Sequence, residues 1–212
     1  MRDFIDPTTR IKGRVRCFSV RDVAGVQSVL TGCRVPGEWT PKTRFRSNAV
    51  LYDWATIVGR LLTAGDNSMR IAGMYLEYQN VGGPAVPVSA PSFSRYDGIN
   101  YYQSLASSSN SDFLRVPLVS TSLVSSNTSM FPQGNVASFF AQTVAGNGTG
   151  VNGKPFNDTA ISKVYGGALV AMPAANDWSQ DLIFSRFYFD TGSQQVKLST
   201  SQLGLQWTLT LE

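Results

Sequence analysis

The chain has 212 residues, 42% of them hydrophobic and only 15% charged, with 19 Gly, 10 Pro, two Cys, no His and a formal charge of +4. That length supports one core, or at most two small ones, without covalent staples, and two cysteines do not make a disulfide framework. The missing histidine excludes a Ser-His-Asp triad, a Cys-His dyad, a two-His zinc site and His-ligated haem, which moves the expectation from catalysis toward binding or structure.

The first residues, Met1 to Pro7, include Asp3 and Asp6 and lack the apolar stretch of a secretion signal. The expectation is therefore a protein assembled in a reducing cytoplasm, with Cys17 and Cys33 as free thiols. Their spacing matches no metal-binding motif. No apolar run approaches the roughly 18 residues of a membrane span, so no membrane partner is expected.

Charge is unevenly distributed. Residues 1–46 hold ten basic side chains against four acidic ones, a net +6, and residues 47–212 hold eight against ten, a net −2. The basic groups Arg10, Lys12, Arg14, Arg16 and Arg21 alternate with Ile11, Val15, Phe18 and Val20, as in a folded strand. Plain solvated strand-face charge is the bland alternative. A packed basic strand suits a protein partner better than nucleic acid, which is not the expected partner. Residues 1–46 are read as a basic docking segment with strands, and 47–212 as the main body of one continuous domain.

Along the chain, strands are expected at 11–20 and 23–30, followed by a loop over 32–41 carrying Pro36, Gly37 and Pro41. One amphipathic helix is predicted over 48–64. Val50, Leu51, Trp54, Ala55, Ile57, Val58, Leu61 and Leu62 recur at helical spacing, Ser47 or Asn48 offers a cap, and Gly65 offers a stop. A strand at 69–78 and a short Tyr-rich helical segment at 99–105 come next. Further strands are expected at 114–118, 136–144, 165–172, 182–189 and 203–211. In the last of these, Leu203, Leu205, Trp207, Leu209 and Leu211 hold the odd positions. Short strands with Gly/Pro/Ser turns and no alternating helices define a mainly-β chain, an antiparallel β-sandwich or jelly roll with one amphipathic helix.

Four patterns carry candidate chemistry. Gly148 to Pro155 (GTGVNGKP) satisfies the G-x4-G-K part of a phosphate-binding loop, but Pro155 replaces the hydroxyl residue that would hold magnesium. It is read as an exposed Gly/Asn-rich loop between strands. Asp177 and Asp181, with Asp158 and Asp190, are candidates for a carboxylate pair or calcium ligands, but the ligand set is too sparse. The sequons at Asn127, Asn147 and Asn157 carry no weight without a secretion signal. Tyr75, Tyr78, Tyr96, Tyr101 and Tyr102, and separately Phe184, Phe187, Tyr188 and Phe189, are candidate stacking platforms for sugars or bases, or else core. A strand apolar on both faces has both faces covered, by its own domain or by another subunit. No catalytic residue, metal or cofactor is predicted.

The stretch Trp54 to Tyr102 (WATIVGRLLTAGDN, MYLEYQN, SRYDGINYY), with the later GNVASFFAQT and KVYGGALVA, resembles structural proteins encoded in the virion-morphogenesis regions of tailed bacteriophages. The resemblance spans about 150 residues as overall texture rather than a motif, so it transfers no site residues. It implies a non-enzymatic, β-rich, oligomeric virion component assembled in the host cytoplasm. The expected role is a capsid decoration or cement protein whose partners are the major capsid protein, other virion proteins and its own copies. The alternatives are a tail or head–tail connector protein, a genome-binding capsid subunit of a small icosahedral virus, and a carbohydrate-binding module using the Tyr cluster.

Overall fold

The computed structural model describes residues 11–21, 40–41, 46–47, 49–51, 53–80, 98–124, 136–143, 148–156, 162–189, 195–196 and 201–211. In chain order these form β1 (Ile11–Arg21), β2 (Thr40–Pro41), β3 (Arg46–Ser47), β4 (Ala49–Val50), α1 (Asp53–Ala64), β5 (Ile71–Asn80), α2 (Ile99–Ser107), β6 (Ser111–Val124), β7 (Val136–Gln142), β8 (Gly148–Thr149), β9 (Pro155–Phe156), β10 (Ser162–Ala171), β11 (Leu182–Tyr188), β12 (Gln195–Val196) and β13 (Ser201–Leu211). The expected strand at 23–30, most of the 32–41 loop, Cys33 and the three sequons lie outside the described residues.

All strand pairs are antiparallel. The main order is β2-β1-β13-β7-β6-β5-β10-β11-β4, curled into a half-barrel, with β8 and β9 forming a separate hairpin. The predicted mainly-β, sandwich-like architecture is the one the chain adopts. Two corners make it so. The first half of β6 pairs with β5 and its second half with β7, and the ladder slips between Leu118 and Ser120, just after Pro117. A bulge beside a residue without an N–H is where a strand leaves one sheet for the next. At the other corner β3 pairs with β1 while β4, two residues on, pairs with β11.

One sheet face builds the main core, in which Met74, Leu76, Val116, Ala141, Leu169, Phe187, Phe189, Leu205, Trp207 and Leu209 meet. Ile57 of α1 is buried in this core, with Trp54 and Leu61 packed against it. On the other face of β5, β6, β10 and β11, the side chains of Tyr75, Phe113, Ala168, Val170 and Ile183 pack under Tyr102 and the flanking Ile99, Leu105 and Trp178. The two apolar faces of β11 are thus covered from within one chain. Coverage of Phe187 and Phe189 on one side and Tyr188 on the other requires no second subunit.

The helix begins later than predicted. Residues 49–50 are strand β4, Leu51 N–H donates to the Phe184 carbonyl at 2.9 Å, and α1 opens at Asp53. Ser47 lies in β3, six residues before the helix opens. Val50 and Leu51 fit a helical stripe in sequence, yet the β11 edge offers their backbone a ladder. Gly65 ends the helix as expected, at φ 59°, a left-handed conformation that favours glycine. The Tyr-rich segment forms α2, somewhat longer than the predicted 99–105.

Candidate docking face

The cations of the predicted docking segment are divided by strand register. Lys12, Arg14 and Arg16 stand opposite Thr210, Thr208 and Gln206 of β13. The same rows continue through Val136, Ser138 and Phe140 of β7 to Val124, Ser122 and Ser120 of β6. Alternate positions of a strand share one face, so three rows, each headed by a cation, repeat every 7 Å or so. This is the face opposite the Leu203, Leu205, Trp207 and Leu209 row, which is buried. Thr208, Thr210 and Gln206 are half-buried, while Ser138 and Phe140 are buried. Arg21 has the other parity and stands opposite Ser201 at the strand end. Arg10 lies outside the described residues. Register therefore unites three of the five predicted cations and separates a fourth.

The proposed aromatic platform is instead the wall of a buried ion pair. Glu77 of β5 and Arg186 of β11 are fully buried, and Arg186 Nε and Nη2 donate to Glu77 Oε1 at 3.2 and 3.1 Å. Tyr102 donates to the same oxygen at 2.6 Å and Tyr101 to Oε2 at 3.3 Å. The guanidinium carbon lies 3.5 Å from the Tyr101 ring centroid, and Arg186 also donates to the Tyr188 hydroxyl. Tyr165 stacks on Tyr188 with centroids 6.3 Å apart. Burial, then the Glu77 charge, pushes the Tyr101 phenol up to about 12 and also raises those of Tyr102, Tyr165 and Tyr188 well above the usual value. For Arg186, burial is the largest single influence and works against the charge, but Glu77 together with Tyr102, Tyr188 and Tyr101 outweighs it, so the guanidinium is held more firmly protonated. Tyr75, Tyr78 and Tyr102 are fully buried and present no ring to a sugar or base. Tyr96 lies outside the described residues.

The two carboxylates once paired by proximity in sequence have separate structural work. Exposed Asp177 caps the 3₁₀ turn at Trp178–Gln180, accepting from Ser179 N at 3.0 Å, Ser179 Oγ at 2.6 Å and Gln180 Nε2 at 2.7 Å, and these bonds lower its pKa. Buried Asp181 takes a two-pronged bond from Arg115, Nε to Oδ2 at 2.7 Å and Nη2 to Oδ1 at 2.8 Å, and a further one from the Tyr75 hydroxyl. Arg115 also donates to the Ala174 and Ala175 carbonyls, fastening the 173–181 connection across the sheet. Asp158 and Asp190 lie outside the described residues. Among the described residues no group of three or more Cys, Asp or Glu side chains is placed to hold a metal ion.

The phosphate-loop-like string is the β8–β9 hairpin. It does join two short strands, but it is not simply exposed: its turn wraps around the buried Asp112 carboxylate of β6. Asn152 N and Lys154 N donate to Asp112 Oδ2 at 3.1 and 3.3 Å, and a Cβ on Gly150 would stand 2.2 Å from that oxygen. Main-chain N–H groups around an anion are what a phosphate loop provides. Here the anion is the chain's own side chain.

None of these partnerships was read from the sequence. Glu77 and Arg186 are 109 positions apart, and only the β5–β10–β11 order brings them together. One signal was available: an acid and an arginine each inside a strand that is otherwise apolar on both faces, where an unpaired charge would be prohibitively costly. Among the described residues no helix is long and apolar enough to cross a membrane. No protein-family model, curated protein or solved structure matches the chain.

Proposed function

We propose that this chain is a non-enzymatic structural subunit of a tailed-bacteriophage particle, a decoration or cement protein that docks through the β1 face onto an acidic surface of the capsid protein. The observation that carries the docking is the register. Lys12, Arg14 and Arg16 head three consecutive rows of one sheet face, on a strand paired at eleven positions with β13. A ladder of that length holds the charges at fixed spacing, and arginine forms two-pronged bonds to carboxylates on a partner. The buried acids Glu77, Asp112 and Asp181 are engaged inside the fold, which favours a structural role over a chemical one. The particle assignment rests on the resemblance in sequence texture.

Deleting β1 would not test this, because the sheet would lose a full-length ladder along with the charge. The informative variant is Lys12→Thr/Arg14→Thr/Arg16→Thr, which keeps strand-forming residues. Co-sedimentation with particles lacking the protein should fall steeply for the variant, and for the native chain on going from about 50 to about 500 mM salt, as ion pairing between the two surfaces becomes screened. Undiminished binding by the variant refutes the docking reading. Electron microscopy of the complete particle should place the protein on the head; density at the neck or tail would move the assignment to a connector or tail protein.

A further inference from the structure

We propose that Asn152–Gly153, at the tip of the β8–β9 turn, is a self-modification site, where loss of the Asn152 amide leaves an isoaspartate that unfastens the hairpin from Asp112. Asparagine followed by glycine is the pairing most open to this chemistry, because glycine has no Cβ to keep its own nitrogen from the preceding side-chain amide. The chain has two such pairs, at 147–148 and 152–153. Both residues of the second are exposed. Gly153 sits at φ 81°, where a glycine is favoured, and a Cβ built on it would meet nothing within 4 Å. The conformation of the turn thus calls for the residue that makes Asn152 reactive.

In the closed turn the nucleophile is occupied. Gly153 N–H donates to the Gly150 carbonyl at 3.0 Å, Asn152 Nδ2 leans on Asp112 Oδ1 at 3.4 Å, and Lys154 N–H donates to Asp112 Oδ2 at 3.3 Å. Reaction therefore proceeds from the opened turn. The Gly153 nitrogen bonds to Asn152 Cγ, the Cγ–Nδ2 bond breaks, and the amide nitrogen leaves as ammonia with the Gly153 proton. Water then opens the imide. Where it cleaves the original peptide bond, the main chain runs on through Cβ, one atom longer, and the old backbone carbonyl carbon becomes a free carboxylate. The turn is closed by Gly150 N–H on the Lys154 carbonyl at 2.9 Å, a spacing that an extra backbone atom breaks. What Lys154 fastens is released with it: its N–H on Asp112, its Nζ on the Ala106 carbonyl of α2 at 2.8 Å, and its carbonyl under the Tyr78 hydroxyl. The new carboxylate also stands near the Asp112 charge, which opposes reclosure. A fluctuation that was reversible becomes one-way.

The test incubates the native chain beside a synthetic peptide of residues 148–156 at mildly alkaline pH and follows both by mass spectrometry, with fragmentation that separates residue 152 from residue 147. Isoaspartate at 152 should accumulate in the native chain about 10–100-fold more slowly than in the peptide, the factor set by first breaking one hydrogen bond to a charged group. Asp112→Ala, whose turn has lost its anchor, should react faster than the native chain. Molecules carrying the modification have one more negative charge and are collected by ion exchange; in them the Lys154 amide should exchange its hydrogen about tenfold or more faster than in unmodified protein, with β13 unchanged. Absence of isoaspartate at 152 over about a hundred peptide half-lives, the upper end of that range, overturns the proposal. So does native-rate exchange at Lys154 in the modified fraction, or a native reaction rate in folded Asp112→Ala. Should that variant not fold, the native chain and the peptide still decide the matter.

Discussion

Replacing Glu77 with Gln tests whether the buried Glu77–Arg186 pair holds α2 and the second core together. The variant is nearly isosteric, so it removes charge rather than volume. Glu77 and Arg186 are both at 0% exposure, and one carboxylate accepts from Arg186 Nε and Nη2 and from two phenols. Gln retains one acceptor oxygen but turns an NH₂ toward groups that are themselves donors, and it leaves the guanidinium as an uncompensated buried cation. Breaking a buried pair from one side costs about 3–5 kcal/mol. For a chain of this length each kcal/mol shifts Tm by about 2–4 °C, so Tm should fall by about 6–20 °C. Thermal and urea unfolding followed by circular dichroism measure it. Glu77→Gln/Arg186→Met, which removes both charges, should lose less than the sum of the two single variants by about 2 kcal/mol or more. A Glu77→Gln loss below about 1 kcal/mol, or strict additivity in the double variant, would refute the reasoning.

Three further outcomes follow from the geometry. The phenols of Tyr75, Tyr78, Tyr101, Tyr102, Tyr165 and Tyr188 are all raised by burial, so six of the eight tyrosines should show no ionisation near pH 10 in an ultraviolet titration of the folded protein. Because the folded values lie above the unfolded one of about 10, this stabilisation is complete below pH 10 and is lost as pH rises beyond it; base-induced unfolding should set in above that point. Gly166→Ala would put a Cβ 2.5 Å from the Tyr188 ring and 2.7 Å from the Phe187 carbonyl oxygen, and since the backbone oxygen cannot step aside the urea midpoint should drop by the equivalent of about 1–3 kcal/mol. Asp112→Ala strips the acceptor from Asn152 and Lys154 N–H; hydrogen exchange should quicken at those two amides, with a stability loss of about 3–6 kcal/mol for two bonds at about 1.5–3 each, and unchanged exchange would show that the hairpin holds without the carboxylate.

The legible parts of the fold are those whose pattern has a single physical solution. In β13 the odd-position leucines and Trp207 alternate with polar residues, and only a strand buries one set while leaving the other half-exposed. Val50 and Leu51 were misassigned because a short apolar pair satisfies helical spacing and strand pairing alike; the decision came from the β11 edge, more than 130 residues away. The tyrosines posed the same ambiguity in chemical form. A phenol fits a wet stacking surface or a core that supplies a hydrogen-bond acceptor, and Glu77 settled the question for Tyr101 and Tyr102. For the basic side chains of residues 1–46 the sequence gives their positions along the strand, but their sorting into rows comes from pairing with β13, β7 and β6, which alternation along one strand does not specify.

Two features that elsewhere recognise ligands are filled here from within. A turn with converging N–H groups closes on Asp112, and a cluster of tyrosines encloses Arg186. In each the charged occupant comes from a strand of the main sheet, Asp112 from β6 and Arg186 from β11, while the enclosing groups come largely from other segments: the β8–β9 turn in one case, α2 with Tyr165 in the other. An internal occupant is present whenever the chain is folded, so it ties a peripheral segment to the sheet permanently. Evicting it would leave a buried charge without compensation, at a cost that a small ligand in competition would have to exceed. Rigidity is the property this arrangement selects, and it suits a protein whose work is to hold neighbours at fixed positions. It also directs the search for function outward from these two sites, to the rows that Lys12, Arg14 and Arg16 head in the β1–β13 register.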